Sequence, residues 1–141
     1  MRFWTWALEA YARPGAAEAC LDLQDGHGQC VPYLLWAAWA AREGRALDSR
    51  TLRAGAELSA HWEAAAVGPL RAARRAMKSP VPGVAEAARE ALRAEVKTLE
   101  ALAPEANGGA LTIGPALAAA ATAWRWDAPQ SALERLVQTL S

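Results

Sequence analysis

The sequence predicts an all-α fold, a compact bundle of seven or eight helices around a central apolar helix at about 31–42. Three features predict it. Alanine, the best helix former, fills almost every segment. No run shows the period-two alternation of β-branched and aromatic residues that marks a strand. The stretch 31–42 is apolar nearly all round, which suits a helix enclosed by others. At 141 residues the chain reads as a single domain, 1–141, long enough to bury about two-thirds of its unfolded surface.

Each element follows from local pattern. Trp4, Ala7, Leu8 and Tyr11 recur at helical spacing, and Pro14-Gly15 ends that helix. A short second helix spans Ala16 to about Leu23, with Cys20 and Leu23 inward, and two glycines make 24–29 a tight loop. Pro32 suits the first turn of the third helix, and Gly44 suits the position just past its end. Asp48 reads as the N-cap of a fourth helix reaching about Ala66, with Leu47 and Leu52 placed for a hydrophobic staple. Gly68-Pro69 predicts a break or kink, because proline lacks the helical donor and crowds the preceding turn. A fifth helix follows to about Lys78, then a loop over 79–83. Leu92, Val96, Leu99 and Ala103 mark the inner face of a sixth, ending before Pro104. Residues 105–109 form a turn, an alanine-rich helix covers about Pro115 to Trp124, and Leu133, Leu136, Val137 and Leu140 face inward from a last helix, 130–140.

Composition narrows the function classes. No apolar run approaches the ~20 residues that cross a bilayer, and Glu9 interrupts any signal-like start, so the expected compartment is the cytoplasm and no membrane partner is expected. Two cysteines, Cys20 and Cys30, are too few for a disulfide framework and read as reduced thiols. A formal charge of zero disfavours nucleic acid as a partner. The charge is nevertheless uneven: residues 71–97 hold seven Lys or Arg against three acids.

That excess supplies the first candidate site. Arg71, Arg74, Arg75 and Lys78 recur at i, i+3, i+4 and i+7, on one face of the fifth helix, and no acid occurs between Glu63 and Glu86. Arginine forks grip carboxylate and phosphate oxygens, so the face suits an anionic ligand or an acidic partner. It is equally a solvated helix face, which Glu86, Glu90, Glu95 or Glu100 can neutralise from the next helix.

The second candidate is the polar loop containing Gln24, Asp25 and His27. An acid and an imidazole so close can act as base and orienting partner, or bind a ligand. Asp25 can instead accept backbone N–H bonds where the third helix starts, with the glycines as turn residues. Cys20, His27 and Cys30 have neither the knuckle spacing nor the fourth ligand of structural zinc, so no metal and no cofactor is expected. His61 lacks a His-Glu-x-x-His partner and reads as a half-buried or surface histidine. In Trp124-Arg125-Trp126 the two rings cannot share one face of a regular helix, which suggests that one is exposed.

The N-terminal half resembles an uncharacterised proteobacterial domain-of-unknown-function family. The resemblance rests on Phe-Trp-x-Trp-Ala-Leu-x-x-Tyr at Phe3 to Tyr11 and Cys-Leu-x-Leu-Gln-Asp-x-His-Gly at Cys20 to Gly28. Leu34-Leu35 and Pro-Leu-Arg-x-x-Arg-Arg-x-x-Lys at Pro69 to Lys78 complete it. It covers about residues 1–80 and leaves 81–141 as divergent C-terminal helices. Where the family pattern has Asp-Val-Asn, this chain has Cys30-Val31-Pro32, which removes two polar side chains from the neighbourhood of Asp25 and His27. The resemblance implies no activity. The residues themselves favour a non-enzymatic cytoplasmic interaction or regulatory module that meets an acidic or phosphorylated partner through the basic face. The alternative is a small-molecule binder or enzyme centred on the Asp25–His27 loop.

Overall fold

The computed structural model describes residues 1–79, 81–125 and 130–141, and these form an all-α bundle. The helices are α1 (Phe3–Tyr11), α2 (Ala16–Leu21), α3 (Val31–Arg42), α4 (Ser49–Trp62), α5 (Gly68–Ala76), α6 (Val84–Leu102), α7 (Ile113–Trp124) and α8 (Gln130–Leu140). Among the described residues no helix is long and apolar enough to cross a membrane.

α3 is the centre, as its composition requires. Every residue from Pro32 to Ala41 is buried, and α1, α4, α6 and α7 pack around it. Phe3 stacks on Trp39 at 5.3 Å between ring centroids, and Tyr33 lies 5.8 Å from Trp36 and 5.7 Å from Trp124. The buried polar tips are satisfied nearby: Tyr33 Oη donates to the Leu52 carbonyl and Trp39 Nε1 to the Met1 carbonyl, both at 2.9 Å. The helix stops in a Schellman motif, with Gly44 N–H bonded to Ala41 O and Arg45 N–H to Ala40 O. Gly44 has φ +71°, and a Cβ there would meet the Gly108 carbonyl at 2.5 Å, so only glycine lets the 105–112 segment lie against this end.

α1 buries Phe3, Trp6 and Ala10, while Leu8 and Tyr11 on its other face are exposed. Its start is held by Glu100 of α6, which accepts from the Phe3 N–H at 2.6 Å and pairs with Arg2 at 3.0 Å. Glu100 therefore serves a helix N-terminus, where a negative charge is favoured, rather than the basic face. α2 is shorter than its pattern suggests. It runs through Leu21 into a π turn, Asp22–Gly26, so half of the expected loop is helical. Asp48 caps α4 as its sequence suggests, accepting from Thr51 N–H at 2.8 Å.

Of the break or kink expected at Gly68-Pro69, the break is absent. The chain passes from α4 to α5 through a π turn, Glu63–Val67, in which Gly68 N–H bonds back to Glu63 O. Widening the turn by one residue accommodates a proline that has no donor to give. Gly68 makes the closure possible, because a Cβ would sit 2.5 Å from that same carbonyl. α7 starts at Ile113, ahead of Pro115, which is tolerated because N–H groups of a first turn have no helical acceptor. Leu133, Leu136 and Leu140 are buried on α8 and Val137 is partly buried, as the spacing predicts.

Gly55 is the closest approach of α4 to the core. A Cβ there would meet Trp36 Cζ3 at 2.5 Å and Cη2 at 2.8 Å. In an open helix Gly→Ala stabilises by up to about 1 kcal/mol. Here Gly55→Ala is expected to destabilise by about 1–3 kcal/mol, the usual cost of overpacking, in urea unfolding. A gain in stability would show that Trp36 can move aside freely.

Candidate functional site

Two features stand out, an open groove and a buried polar cluster, and Arg71 touches both. The groove, about 390 Å³, lies where α1, α5 and α6 meet the N-terminal end of α3. Trp4, Leu8 and Tyr11 of α1 form one wall, Leu92 and Val96 of α6 another, and Pro32 and Leu35 the side toward the core. Leu21 and Gln24 reach it from α2 and its π turn, and Arg71, Arg74 and Arg75 line it from α5. Leu8, Tyr11 and Leu21 are among the exposed large apolar side chains of the molecule, so this part of the surface is both greasy and basic. Arg89 and Arg93 add to the basic edge by lying 6.0 and 5.6 Å from the Trp4 ring.

Three arginines of the expected basic face share the groove, and Lys78, past the end of α5, lines a neighbouring depression together with Arg74, Met77 and Val81. The acid nearest Arg71 is Glu63, 3.7 Å away and from the preceding π turn rather than from α6. Among the described residues Arg74 and Arg75 have no carboxylate within 4.0 Å.

The polar loop is split. Gln24 lines the groove, but Asp25 and His27 are exposed, with Asp25 accepting from Gln24 Nε2 at 3.4 Å. His27 Nε2 lies 3.9 Å from Asp22, which is also 3.5 Å from Arg135. Asp25 does not cap α3: the N-cap is Cys30, and no side chain accepts there. The reason is local. The π turn carries residues 24–27 outward, and the polar side chain that turns inward is Gln29, bonded to Ala121 O at 3.4 Å. His61 is exposed. Trp124 is half-buried and donates to Gly28 O at 2.9 Å, while Trp126 lies outside the described residues.

Behind the groove sits a cluster that spacing could not assemble. Cys30 at the start of α3, Glu63 in the second π turn and Glu95 of α6 converge, with Cys30 Sγ 3.6 Å from Glu63 Oε1 and 3.8 Å from Glu95 Oε2. Cys30 and Glu95 are buried, as is Ser59 beside them, and only the Glu63 side is partly open. Burial, reinforced by Glu63, raises the Glu95 carboxyl to about 8, although Ser59, Cys30 and Arg71 pull the other way. Burial and the two carboxylates push the Cys30 thiol well above its ordinary value. Such a set can share protons or coordinate a cation. One signal was legible: Glu95 falls within the apolar stripe Leu92, Val96, Leu99, where an acid is out of place.

A helical bundle with an arginine-lined groove is the class this geometry defines. The chain belongs to the family described as Protein of unknown function (DUF2390), whose model matches residues 2–107. The match runs past the 80 residues over which the resemblance is readable and takes in α6, so both the groove and the buried cluster lie inside it. No curated protein and no solved structure matches the chain.

With a chelator present, Glu95 makes stability depend on pH. Its carboxyl holds a proton up to about 8 when folded against an ordinary value of 4.5, so the folded state binds more protons between these limits. Its contribution is therefore full below pH 4.5, declines as the pH rises, and is lost on passing about pH 8. Glu63, Cys30, Ser59 and Arg71 face it and modulate the midpoint. Glu95→Gln should flatten this decline in urea midpoints measured across that range. An unchanged slope would show that another group titrates.

Proposed function

We propose that this protein is a non-enzymatic cytoplasmic interaction module whose groove takes an acidic or phosphorylated segment of a protein partner. Apolar side chains of that segment would lie against Trp4, Leu8, Tyr11 and Leu35, with its anionic groups held by Arg71, Arg74 and Arg75. The observation that carries this reading is the placement of three arginines along a groove that also holds three of the exposed large apolar side chains. Exposed apolar patches mark interaction surfaces, and Trp, Tyr and Arg are the side chains that most often dominate binding energy. Arg74 and Arg75 are exposed, so pairing them with a partner's acid requires little desolvation and adds salt-sensitive attraction.

A second reading has one observation in its favour. A concavity of about 390 Å³ is within the range of small-molecule sites, which suits a short amphipathic anion with its head at the arginines. Gln24 is then the residue of the polar loop that would contact it, since Asp25 and His27 are directed elsewhere.

The test screens acidic and phosphorylated peptides containing aromatic or aliphatic residues, then titrates the binders by fluorescence anisotropy at two ionic strengths. Arg74→Gln with Arg75→Gln is the variant of choice, because both side chains are exposed and Arg71, which pairs with Glu63, is left intact. Binding should weaken roughly tenfold or more, about 1.4 kcal/mol, with a shallower salt dependence and unchanged melting. Equal affinity and equal salt slope in the variant would sink the reading. Binding of dodecyl phosphate by the arginines without binding of any peptide would move the assignment to the small amphipathic anion.

A further inference from the structure

We propose that Cys30, Glu63 and Glu95 form a binding site for one divalent transition-metal ion of the zinc class. The three donor atoms, one sulfur and two carboxylate oxygens, lie within 4.8 Å of one another on three separate elements. A tetrahedral ion about 2.3 Å from sulfur and about 2.0–2.2 Å from oxygen holds those two donors roughly 3.5 Å apart. The sulfur-to-oxygen separations here are 3.6 and 3.8 Å, so little movement is needed to close around an ion.

The surroundings point the same way independently. Ser59 is fully buried and lies against the Glu95 carboxyl, yet its hydroxyl oxygen has no well-aligned hydrogen-bond partner among the described residues. Glu95 Oε1 and Glu63 Oε2 are likewise buried and unpartnered. Buried polar atoms are nearly always satisfied, and three oxygens of this group are not. Its nearby cation, Arg71, reaches only Glu63, at 3.7 Å.

Charge supports the assignment. A thiolate and two carboxylates carry −3, which a divalent ion together with Arg71 cancels. A neutral buried set avoids the large cost of isolated charges in the interior. The soft thiolate argues against calcium and magnesium, which take all-oxygen sites, and favours zinc-like ions. Ser59 Oγ or a water completes the coordination. The ion enters from the Glu63 side, the one partly open edge. Binding expels the thiol proton and any carboxyl proton to solvent, with no change in oxidation state.

The experiment uses the full chain without an affinity tag. Metal is removed by chelation, and Co²⁺ and Zn²⁺ are titrated in separately, Zn²⁺ in competition with a chromophoric chelator. One ion per chain, with a near-ultraviolet thiolate-to-cobalt charge-transfer band, is expected. Cys30→Ser should abolish that band, Cys20→Ser should keep it, and Glu95→Gln should weaken Zn²⁺ binding roughly tenfold or more. X-ray absorption at the zinc edge of the unaltered protein guards against a variant that fails to fold, and should show one sulfur at about 2.3 Å with oxygen neighbours. No stoichiometric binding, or a bound ion without a sulfur neighbour, or a band that survives in Cys30→Ser, would overturn the proposal and leave thiol–carboxyl hydrogen bonds alone. Peptide binding at the groove is a separate readout, so either result can fail without the other.

Discussion

A helix with no polar face has to be surrounded, and α3 from Pro32 to Ala41 has none. Its backbone is satisfied internally, so the cost of leaving it at a surface lies entirely in apolar side chains kept in water. Four neighbours, α1, α4, α6 and α7, supply the cover. Close approach needs small partners, and Gly55 of α4 against Trp36, with Ala120 and Ala121 buried on α7, provides them. The aromatic set Phe3, Tyr33, Trp36 and Trp39 fills what remains, and each of these rings is almost wholly buried. The strap of 105–112 across Gly44 completes the enclosure at the C-terminal end.

The second constraint is the proline at 69. One extra residue in the turn lets the chain pass it without a break, but it also rotates everything after it by about 100° relative to an unbroken helix. Glu63, at the start of the wide turn, is brought beside Cys30, whereas no residue of α5 beyond it is fully buried. A helix that only half-buries its inner face is free to form the wall of a groove. The same irregularity therefore contributes an acid to the interior cluster and lays three arginines along the surface cleft, and Arg71 spans the two.

The basic periodicity of α5 was readable because helical spacing is local, and Arg71, Arg74 and Arg75 line one groove. Lys78 lies past Ala76, the last residue of α5, and shares a neighbouring depression with Arg74. The apolar floor was not readable from that helix, because it comes from α1, α3 and α6. Leu8 and Tyr11 look like core positions in a helical pattern that also offers Phe3, Trp6 and Ala10, and only the packing shows which stripe faces inward. The Asp25–His27 loop attracted interest through residue type, yet the backbone directs both side chains to solvent.

The sequence by itself determined the all-α class, the central position of α3, the Asp48 cap and the Gly44 stop, because each depends on residues within a few positions of one another. Its motifs also pointed to the family, whose match reaches residue 107. The tertiary structure alone decided that Cys30, Glu63 and Glu95 meet, that a π turn at Glu63–Val67 leads into Gly68-Pro69 without a break, and that the arginines look onto an apolar groove. The physical reason is range. Helix starts and stops are settled by hydrogen bonds a few residues long, whereas burial pairs residues 30 and 95 through the packing of separate helices, and no period in the chain encodes it.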